Sequence, residues 1–264
     1  MSKGIQKIGI FDSGIGGLTV FEAIRKALPS IEIVYLGDTA RVPYGIRSPE
    51  IIRKYSEEDS RFLLEHDVDL IVVACNTASA HALEFLKEKF SVPIFGVIEP
   101  GARLAAQITR NKRIGVIGTE GTIGSQVYED AICGLDSQIQ CFSKAVPLFV
   151  SLVEEGITDH HILSPIFDYY LHELKQHEID TLVLGCTHYP LLKQPLSNYF
   201  GKEIKLVDSA QAIAKFLTLY CHETGHVQGP APTQIFVTDA PERITRVVRN
   251  LFDMQHIEIK KVSL

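Results

Sequence analysis

Short apolar segments alternate with longer stretches of amphipathic pattern along the chain. The apolar segments are rich in β-branched residues, and several contain no polar position, which is typical of parallel strands covered on both faces. The predicted strands are Ile8–Phe11, Ile31–Leu36, Leu70–Ala74, Ile94–Ile98, Ile114–Ile117, Ile139–Phe142, Thr181–Leu184, Ile204–Val207 and Ile235–Val237. The predicted helices include Pro49–His66, Ala78–Phe90, Ile123–Ile132, Ile162–Gln176 and Pro241–Phe252. This alternation predicts an α/β fold with mainly parallel sheets.

Four of the predicted strands in the first half of the chain have counterparts in the second half. Ile8 and Ile114 open apolar strands that lead into glycine-containing turns, DSGIGG and GTEGTIG, and they lie 106 residues apart. The strand that ends before Cys75 matches the strand that ends before Cys186, 111 residues later. Matches in the same order with a nearly constant offset predict two similar lobes, related by a pseudo-twofold axis, with the active site in the cleft between them.

The repeat also predicts how the chain divides. We expect residues 1–98 and 208–264 to form lobe one and residues 99–207 to form lobe two. The last segment contains a predicted helix, the loop GHVQGPAPT, a strand, a second helix and a final strand, IEIKKV. It is too short for a comfortable domain of its own, so we expect it to return and pack on lobe one.

Charge and hydropathy narrow the classes of function. The formal net charge is −6, whereas binding to nucleic acid or to a membrane surface needs clustered Lys and Arg. No apolar run approaches the roughly 18 residues of a membrane span. The first residues, MSKGIQKIGIFD, lack the apolar core of a signal peptide. We therefore expect a cytoplasmic protein that binds neither nucleic acid nor membrane.

Cysteine and histidine usage indicates neither a disulfide framework nor a metal site. The five cysteines are odd in number and include no C-x-x-C motif. A cysteine is most often a small buried hydrophobe. The histidines that could suggest metal ligands, His160, His161, His222 and His226, do not pair with a cysteine or carboxylate in zinc-like spacing.

Cys75 and Cys186 depart from the ordinary role because each directly follows an apolar strand and precedes a polar segment leading into a helix. In parallel sheets, ligands bind beyond the carboxyl ends of the strands. A thiol at a helix N-terminus meets unpaired N–H groups and a positive dipole end, which favour the thiolate. We therefore expect cysteine pKa values below the free value of about 8.5.

The repeat places these two thiols on opposite sides of whatever binds in the cleft. Racemisation needs this layout, since one base removes a proton from one face of a carbon and an acid returns a proton to the other. Near-attack distances of roughly 3–3.5 Å on each side imply a sulfur–sulfur separation of about 7 Å. One thiolate and one thiol would be present in each productive state, and the pair would titrate as a coupled system.

Polar residues near the predicted strand ends are candidates for assisting roles. Asp12 and Ser13 end the first strand, and Asp12 could exchange a proton or a hydrogen bond with the nearby thiol. His188 could do the same beside Cys186, with Glu154 orienting the ring. Each residue has an alternative reading: Asp12 and Ser13 as a helix cap, His188 as a structural residue of its turn, and Glu154 as a solvated charge at a helix end.

Further candidates could bind a substrate. Asn76 and Thr77 follow one cysteine, and Thr187 and His188 follow the other, so their side chains and N–H groups could hold α-amino and α-carboxylate groups. Helix capping is the alternative, and one residue can do both. Tyr44-Gly45, in the loop GDTARVPYGIRS, could belong to a binding loop or to an ordinary turn.

Four motifs carry a resemblance to a known family. FDSGIGGLTV, GDTARVPYG, VACNTASA and LGCTHYPLL, in this order and spacing, resemble the glutamate racemases of the aspartate/glutamate racemase family, and the resemblance covers about residues 8–217. It implies interconversion of L- and D-glutamate, which supplies D-glutamate for bacterial peptidoglycan, with neither pyridoxal phosphate nor a metal as cofactor. It also implies a homodimer, although interfaces differ within the family.

The resemblance assigns roles position by position. It implies that Cys75 acts on the D-enantiomer and Cys186 on the L-enantiomer. The assisting residues would be Asp12, Glu154 and His188, with Glu154 matched only through the looser context PLFVSLVEEG. The implied substrate contacts are Asp12, Ser13, Tyr44, Gly45, Asn76, Thr77, Thr187 and His188.

Three other functions remain open. A racemase of aspartate or another small amino acid would differ in kcat/KM between the two acids. A nucleotide-dependent enzyme is disfavoured because DSGIGG and GTEGTIG lack G-x-G-x-x-G spacing and no G-K-[ST] motif is present. A non-enzymatic two-lobed binding protein gives no reason for matched cysteines, and it would keep its ligand when either cysteine is replaced.

Overall fold

The computed structural model describes residues 4–157, 159–224, 231–251 and 258–264. Within these residues, ten strands form two parallel sheets, one of six strands and one of four. Helices pack on the sheets, and buried aliphatic side chains fill the space between the layers. The predicted fold class, α/β with two similar lobes built on parallel sheets, is confirmed.

The chain passes through the elements of the first lobe before those of the second. The first group is β1 (Lys7–Asp12), α1 (Leu18–Ala27), β2 (Glu32–Gly37), a 3-10 helix (Tyr44–Ile46), α2 (Pro49–Leu64), β3 (Leu70–Val73), α3 (Asn76–His81), α4 (Leu83–Lys89) and β4 (Ile94–Gly96). The second group is α5 (Ile98–Ile108), β5 (Arg113–Gly118), α6 (Glu120–Gly124), α7 (Val127–Leu135), β6 (Gln140–Ala145), α8 (Leu148–Glu154), α9 (His160–Gln176), β7 (Thr181–Gly185), a second 3-10 helix (Tyr189–Leu192), α10 (Lys193–Phe200) and β8 (Lys205–Asp208). The last group is α11 (Ser209–Thr224), β9 (Thr233–Val237), α12 (Pro241–Leu251) and β10 (Ile259–Lys261).

Strand order confirms the internal repeat. The first sheet runs β10-β9-β2-β1-β3-β4 and the second runs β6-β5-β7-β8. The block β2-β1-β3-β4 therefore has the same order as β6-β5-β7-β8, and each strand occupies the place of its sequence counterpart. As a result, β3 and β7, which precede Cys75 and Cys186, lie at equivalent positions beside the strands that lead into the glycine-containing turns.

The last segment extends the first sheet rather than the second. β9 pairs in parallel with β2, and β10 pairs with β9. Apolar side chains of α11, such as Ile213 and Leu217, share a core with Leu18 and Phe21 of α1. This pairing supports the expected division into 1–98 plus 208–264 and 99–207, which remains a prediction as to its boundaries.

The structure differs from the sequence prediction in several elements. Strand Ile94–Ile98 is shorter than predicted, because Ile98 already begins α5. The predicted helix Ala78–Phe90 is divided between α3 and α4 at Ala82, whose φ is −120°. The predicted helix Ile123–Ile132 is interrupted at Gln126, which has a left-handed backbone with φ of 58° between α6 and α7. Such breaks leave the apolar spacing almost unchanged, so hydropathy alone cannot locate them.

Some sequence predictions fall wholly or partly on residues that the structure does not describe: the loop GHVQGPAPT, His226 and the helix end at Phe252. Among the residues that it does describe, no helix combines the length and apolar composition needed to cross a bilayer.

Candidate active site

A narrow cavity lies where the carboxyl ends of the central strands of both sheets meet. Its walls include Ser13 after β1, Cys75 after β3, Thr119 after β5 and Cys186 after β7. The cavity has a volume of about 20 Å³, which is room for about one water molecule. Both candidate thiols therefore face one enclosed space that the two lobes share.

Most of the predicted site residues line this cavity. Those that do are Ser13, Tyr44, Gly45, Cys75, Asn76, Thr77, Cys186, Thr187 and His188. Asp12 and Glu154 do not line it, but each forms a hydrogen bond with a residue that does. The structure thus brings all eleven predicted residues into one connected site.

Cys75 is held in place by its position at the start of α3. It is the N-cap residue of that helix, and its Sγ accepts a hydrogen bond from the N–H of Ala78 at 3.5 Å. The thiol also donates to Ser13 Oγ at 3.6 Å. The contact with Ser13 joins the carboxyl ends of β1 and β3, and the two contacts together fix the direction in which the sulfur points.

The expected fall in cysteine pKa is wrong for Cys75. Burial raises the pKa of this thiol to about 12, and the nearby charge of Asp12 acts in the same direction. The Ala78 N–H and the Ser13 hydroxyl lower it, but they do not compensate. A helix N-terminus lowers the pKa of a thiol, but loss of hydration in the cavity is the larger effect at Cys75. Cys75 is therefore a thiol at neutral pH.

A hydrogen-bonded chain of three residues forms the other side of the site. Cys186 Sγ lies 3.8 Å from His188 Nδ1, and His188 Nε2 lies 3.2 Å from Glu154 Oε1. Burial lowers the pKa of His188, but the hydrogen bonds to Cys186 and Glu154 outweigh it and bring the value to about 10. The ring is therefore positively charged at neutral pH, with one nitrogen facing the sulfur and the other facing the carboxylate.

Asp12 links the two lobes at the edge of the cavity. Its carboxylate accepts hydrogen bonds from the N–H of Gly14 at 3.0 Å and from the hydroxyl of Thr187, in the opposite lobe, at 3.2 Å. Burial raises the pKa of Asp12, while the charge of His188 and the N–H donors lower it. The carboxyl group interacts electrostatically with both Cys75 and His188, so it belongs to both sides of the site.

Residues that follow the cysteines also connect the lobes. The Asn76 side-chain oxygen accepts a 2.7 Å hydrogen bond from the hydroxyl of Tyr128 on α7. Thr77 Oγ1 lies 2.9 Å from Thr119 Oγ1 and 3.2 Å from Thr122 Oγ1, and the two hydroxyls of lobe two are 3.0 Å apart. Both residues of the Asn76-Thr77 pair thus have partners across the cleft.

Tyr44 and Gly45 have different environments within the same 3-10 helix. The Tyr44 hydroxyl lies within hydrogen-bond distance of Asp38 and, at 2.9 Å, of Asp59, in a buried network that includes Arg41. It therefore does not offer its hydroxyl to the cavity. Gly45 lies against lobe two, where a Cβ would stand 2.6 Å from Thr119 Cβ, a separation at which any side chain would force the lobes apart.

Three residues of the site were not predicted from the sequence: Thr119, which lines the cavity, its hydrogen-bond partner Thr122, and Tyr128, which donates to Asn76. A signal for Thr119 was present, because it lies 106 residues after Ser13 and occupies the corresponding place after β5. Tyr128 gave no such signal, since an aromatic residue at helical spacing is typical of a core position. Its hydroxyl acquires a role only when α7 packs beside the cleft.

Comparison with known proteins places the chain in a family. The model of the family described as Asp/Glu/Hydantoin racemase matches residues 9–217. The chain belongs to this racemase family. The glutamate racemase of Geobacter metallireducens is 49% identical over 261 residues, which cover 97% of this chain and 96% of that protein.

Solved structures of family members have the same architecture. Glutamate racemase isoform RacE1 from Bacillus anthracis is 37% identical, covers 98% of both chains and superimposes with a TM-score of 0.94. The glutamate racemase of Francisella tularensis, solved in complex with D-glutamate, is 32% identical, with coverage of 98% of this chain and 97% of that one and a TM-score of 0.89. Membership in the family therefore extends across nearly the whole chain.

Proposed function

We propose that the chain interconverts L-glutamate and D-glutamate through two cysteines, Cys75 and Cys186, without pyridoxal phosphate or a metal, and so supplies D-glutamate for peptidoglycan. The observation that carries the proposal is that both thiols line one cavity from equivalent strand ends of the two lobes. The 49%-identical relative named glutamate racemase supports glutamate as the substrate.

In the proposed reaction, the two sulfurs exchange roles with the direction of turnover. From L-glutamate, the thiolate of Cys186 removes the α-proton, and the thiol of Cys75 delivers a proton to the opposite face of the same carbon. From D-glutamate, the thiolate of Cys75 removes the proton and Cys186 returns one. The assignment of enantiomers rests on resemblance to the family.

The electrostatics of the resting site suit the L-to-D direction. Because its pKa is about 12, Cys75 already holds the proton that it must deliver. On the other side, the charged ring of His188 faces Cys186 Sγ and is complementary to a negatively charged sulfur. The D-to-L direction needs the opposite arrangement, in which Cys186 holds the proton and Cys75 is the thiolate. Asp12 is the buried carboxyl group that interacts electrostatically with both Cys75 and His188, so it is placed to assist this exchange of protons.

The substrate would be held by the polar groups that surround the sulfurs. Ser13, Asn76, Thr77 and Thr187 are nearly fully buried and bring hydroxyl, amide and N–H groups to the cavity. These groups are suited to the α-amino and α-carboxylate groups, which must stay fixed while the α-carbon inverts. The contact from Tyr44-Gly45 would come from the backbone and the ring, because the Tyr44 hydroxyl is bonded elsewhere.

Circular dichroism of purified protein with L- or D-glutamate, without added cofactor, tests the function. Wild type should bring either enantiomer to a racemic mixture, and aspartate should give a much lower kcat/KM. Cys75→Ser and Cys186→Ser should each lose about 10²–10⁴-fold or more, with Cys221→Ser on α11 as the matched control. Full activity in either cleft variant, or retention of the original hydrogen in deuterated water, would contradict the two-cysteine reaction.

We also propose that the protein acts as a cytoplasmic homodimer. The proposal follows from its family membership. Light scattering coupled to size-exclusion chromatography should give twice the 29.4 kDa mass of the chain, and a monomer across the concentration range of the activity assay would exclude it.

A further inference from the structure

Cys133 and Cys141 form a second pair of thiols, in lobe two and apart from the cavity. Cys133 lies on α7 and is exposed, while Cys141 lies on β6 and is partly buried. The two thiols are neighbours: Cys133 is a hydrogen-bond partner of Cys141 and raises its pKa, and the Cys133 thiol donates to the carbonyl of Ile139, two residues before Cys141, at 3.7 Å. Neither residue has a role in the reaction proposed for the cleft.

The chain between the two cysteines favours a bond between them. Seven residues separate them, and these comprise the end of α7, the short connection 136–139 and the first residue of β6. Closing so short a loop removes little conformational freedom, because helix and strand already hold its ends together. The other three cysteines, Cys75, Cys186 and Cys221, are buried, so an oxidant in solution first meets Cys133.

We propose that Cys133 and Cys141 form a reversible disulfide on exposure to hydrogen peroxide, and that this pair is oxidised before the cysteines of the cleft. The Cys133 thiolate attacks one peroxide oxygen, the O–O bond breaks, and the departing hydroxide takes up a proton to become water. Cys141 sulfur then attacks the resulting sulfenic sulfur, the S–O bond breaks, and the second oxygen leaves as water with the Cys141 proton. The two thiols supply the two electrons that reduce the peroxide.

The surroundings of the pair set the order of these two steps. Burial raises the pKa of Cys141 to about 12, and the neighbouring Cys133 and Glu129 add to the effect. A thiol with so small a thiolate fraction is a poor first nucleophile for peroxide. Exposed Cys133 therefore takes the oxidant, and Cys141 acts as the resolving thiol at short range.

Peptide mass spectrometry after titration with peroxide tests the proposal. Trypsin leaves both cysteines on one peptide, 114–144, so the disulfide makes that peptide about 2 Da lighter and unreactive with iodoacetamide. Cleavage before Asp130 and Asp136 then places the two cysteines on separate fragments, 130–135 and 136–144, which stay joined until dithiothreitol is added. At one equivalent of peroxide, the peptides that carry Cys75 and Cys186 should still be alkylated in full.

Two variants and a control separate the steps. Cys133→Ser should abolish the mass loss, and Cys141→Ser should stop at a sulfenic acid on Cys133 that dimedone traps. Cys221→Ser should behave as wild type. Sulfinic acid on Cys133 while Cys141 remains free, a disulfide between two chains, or earlier oxidation of the cleft cysteines would each overturn the proposal. Because the readout is mass, it is independent of whether the chain racemises glutamate.

Discussion

The two sides of the cleft share a frame and differ in charge. Cys75 and Cys186 follow equivalent strands, β3 and β7, of sheets with the same order. Around Cys186, a charged imidazole and a carboxylate form a chain, His188 to Glu154. Around Cys75, the direct partners are neutral, the Ser13 hydroxyl and the Ala78 N–H.

This contrast separates the properties that the two lobes share from those that differ between them. His188 follows Cys186 by two residues, and the residue two places after Cys75 is Thr77. The backbone therefore positions both sulfurs alike, while single side chains decide where the mobile proton resides. A racemase needs equal access to both faces of a carbon, but it does not need equal acidity on the two sides.

Replacement of His188 tests the charged side and should have the largest effect among the assisting residues. His188→Asn should lower kcat/KM by about 10²–10⁴-fold. The fall must be equal in both directions, because the enantiomers have equal free energies. The asymmetry should appear in the primary deuterium isotope effect on kcat/KM, measured with substrate deuterated at the α-carbon. In the variant, this isotope effect should be larger than in wild type for L-glutamate and smaller than in wild type for D-glutamate.

The physical reason is that loss of the imidazole slows proton transfer at Cys186, so that transfer alone limits the rate. His172→Asn, at an exposed position on α9, is the matched control. Equal changes in the two isotope effects would show that His188 does not act on one side only.

Asp12→Asn should give the mirror-image result with a loss of about 10²-fold. The amide keeps an acceptor for the Gly14 N–H but removes the buried negative charge beside Cys75. Proton transfer at Cys75 should then limit the rate, so the isotope effect should grow for D-glutamate and shrink for L-glutamate. If Asp12→Asn changed the two isotope effects in the same directions as His188→Asn, Asp12 would instead act on the Cys186 side of the cleft.

Glu154→Gln should change the pH dependence of the charged side. A hydrogen bond to a charged group contributes about 1.5–3 kcal/mol, which corresponds to a loss of roughly 10–100-fold above neutral pH. Glu154 helps to raise the pKa of His188 to about 10, so the alkaline limb of kcat/KM should move to lower pH in the variant. Glu155→Gln removes the same charge from the same helix end and should leave the limb in place.

The raised pKa of His188 also makes the stability of the fold depend on pH. His188 has a higher pKa in the folded protein, about 10, than the unperturbed value of about 6.5. Its charged form therefore stabilises the fold fully below about pH 6.5, and this contribution is lost as pH rises through about 10. Thermal unfolding of wild type and Glu154→Gln should differ most near pH 6, where the imidazole is charged and an ordinary carboxyl group is still ionised, and their melting temperatures should converge above about pH 10.

Thr119→Val should have the smallest effect. It removes one hydroxyl from the cluster that joins Thr77 to lobe two, and a neutral hydrogen bond contributes about 0.5–1.5 kcal/mol. We expect kcat/KM to fall about 2–10-fold with unchanged isotope effects, and Thr119→Ser to restore it. A selective change in one isotope effect would place Thr119 among the groups that move protons.

The placement of the site residues was predictable from the sequence because it depends on where the strands end and on the internal repeat. The positions of Cys75, Cys186, Asp12 and His188 relative to the strands are enough to bring them to one edge. The acidity of Cys75 was not predictable, since enclosure by both lobes outweighs the local helix end. The direction of the Tyr44 hydroxyl was likewise hidden, because Asp59 meets it only through the packing of α2.

The size of the cavity bears on how fast the protein can work. Glutamate is many times larger than the single water for which there is room, so every cycle must start and finish with the walls drawn apart. Proton transfer then takes place in the narrow state of the cleft, and the exchange of product for new substrate requires its walls to open. We therefore expect this opening to limit turnover at saturating substrate, so added viscogen should lower kcat.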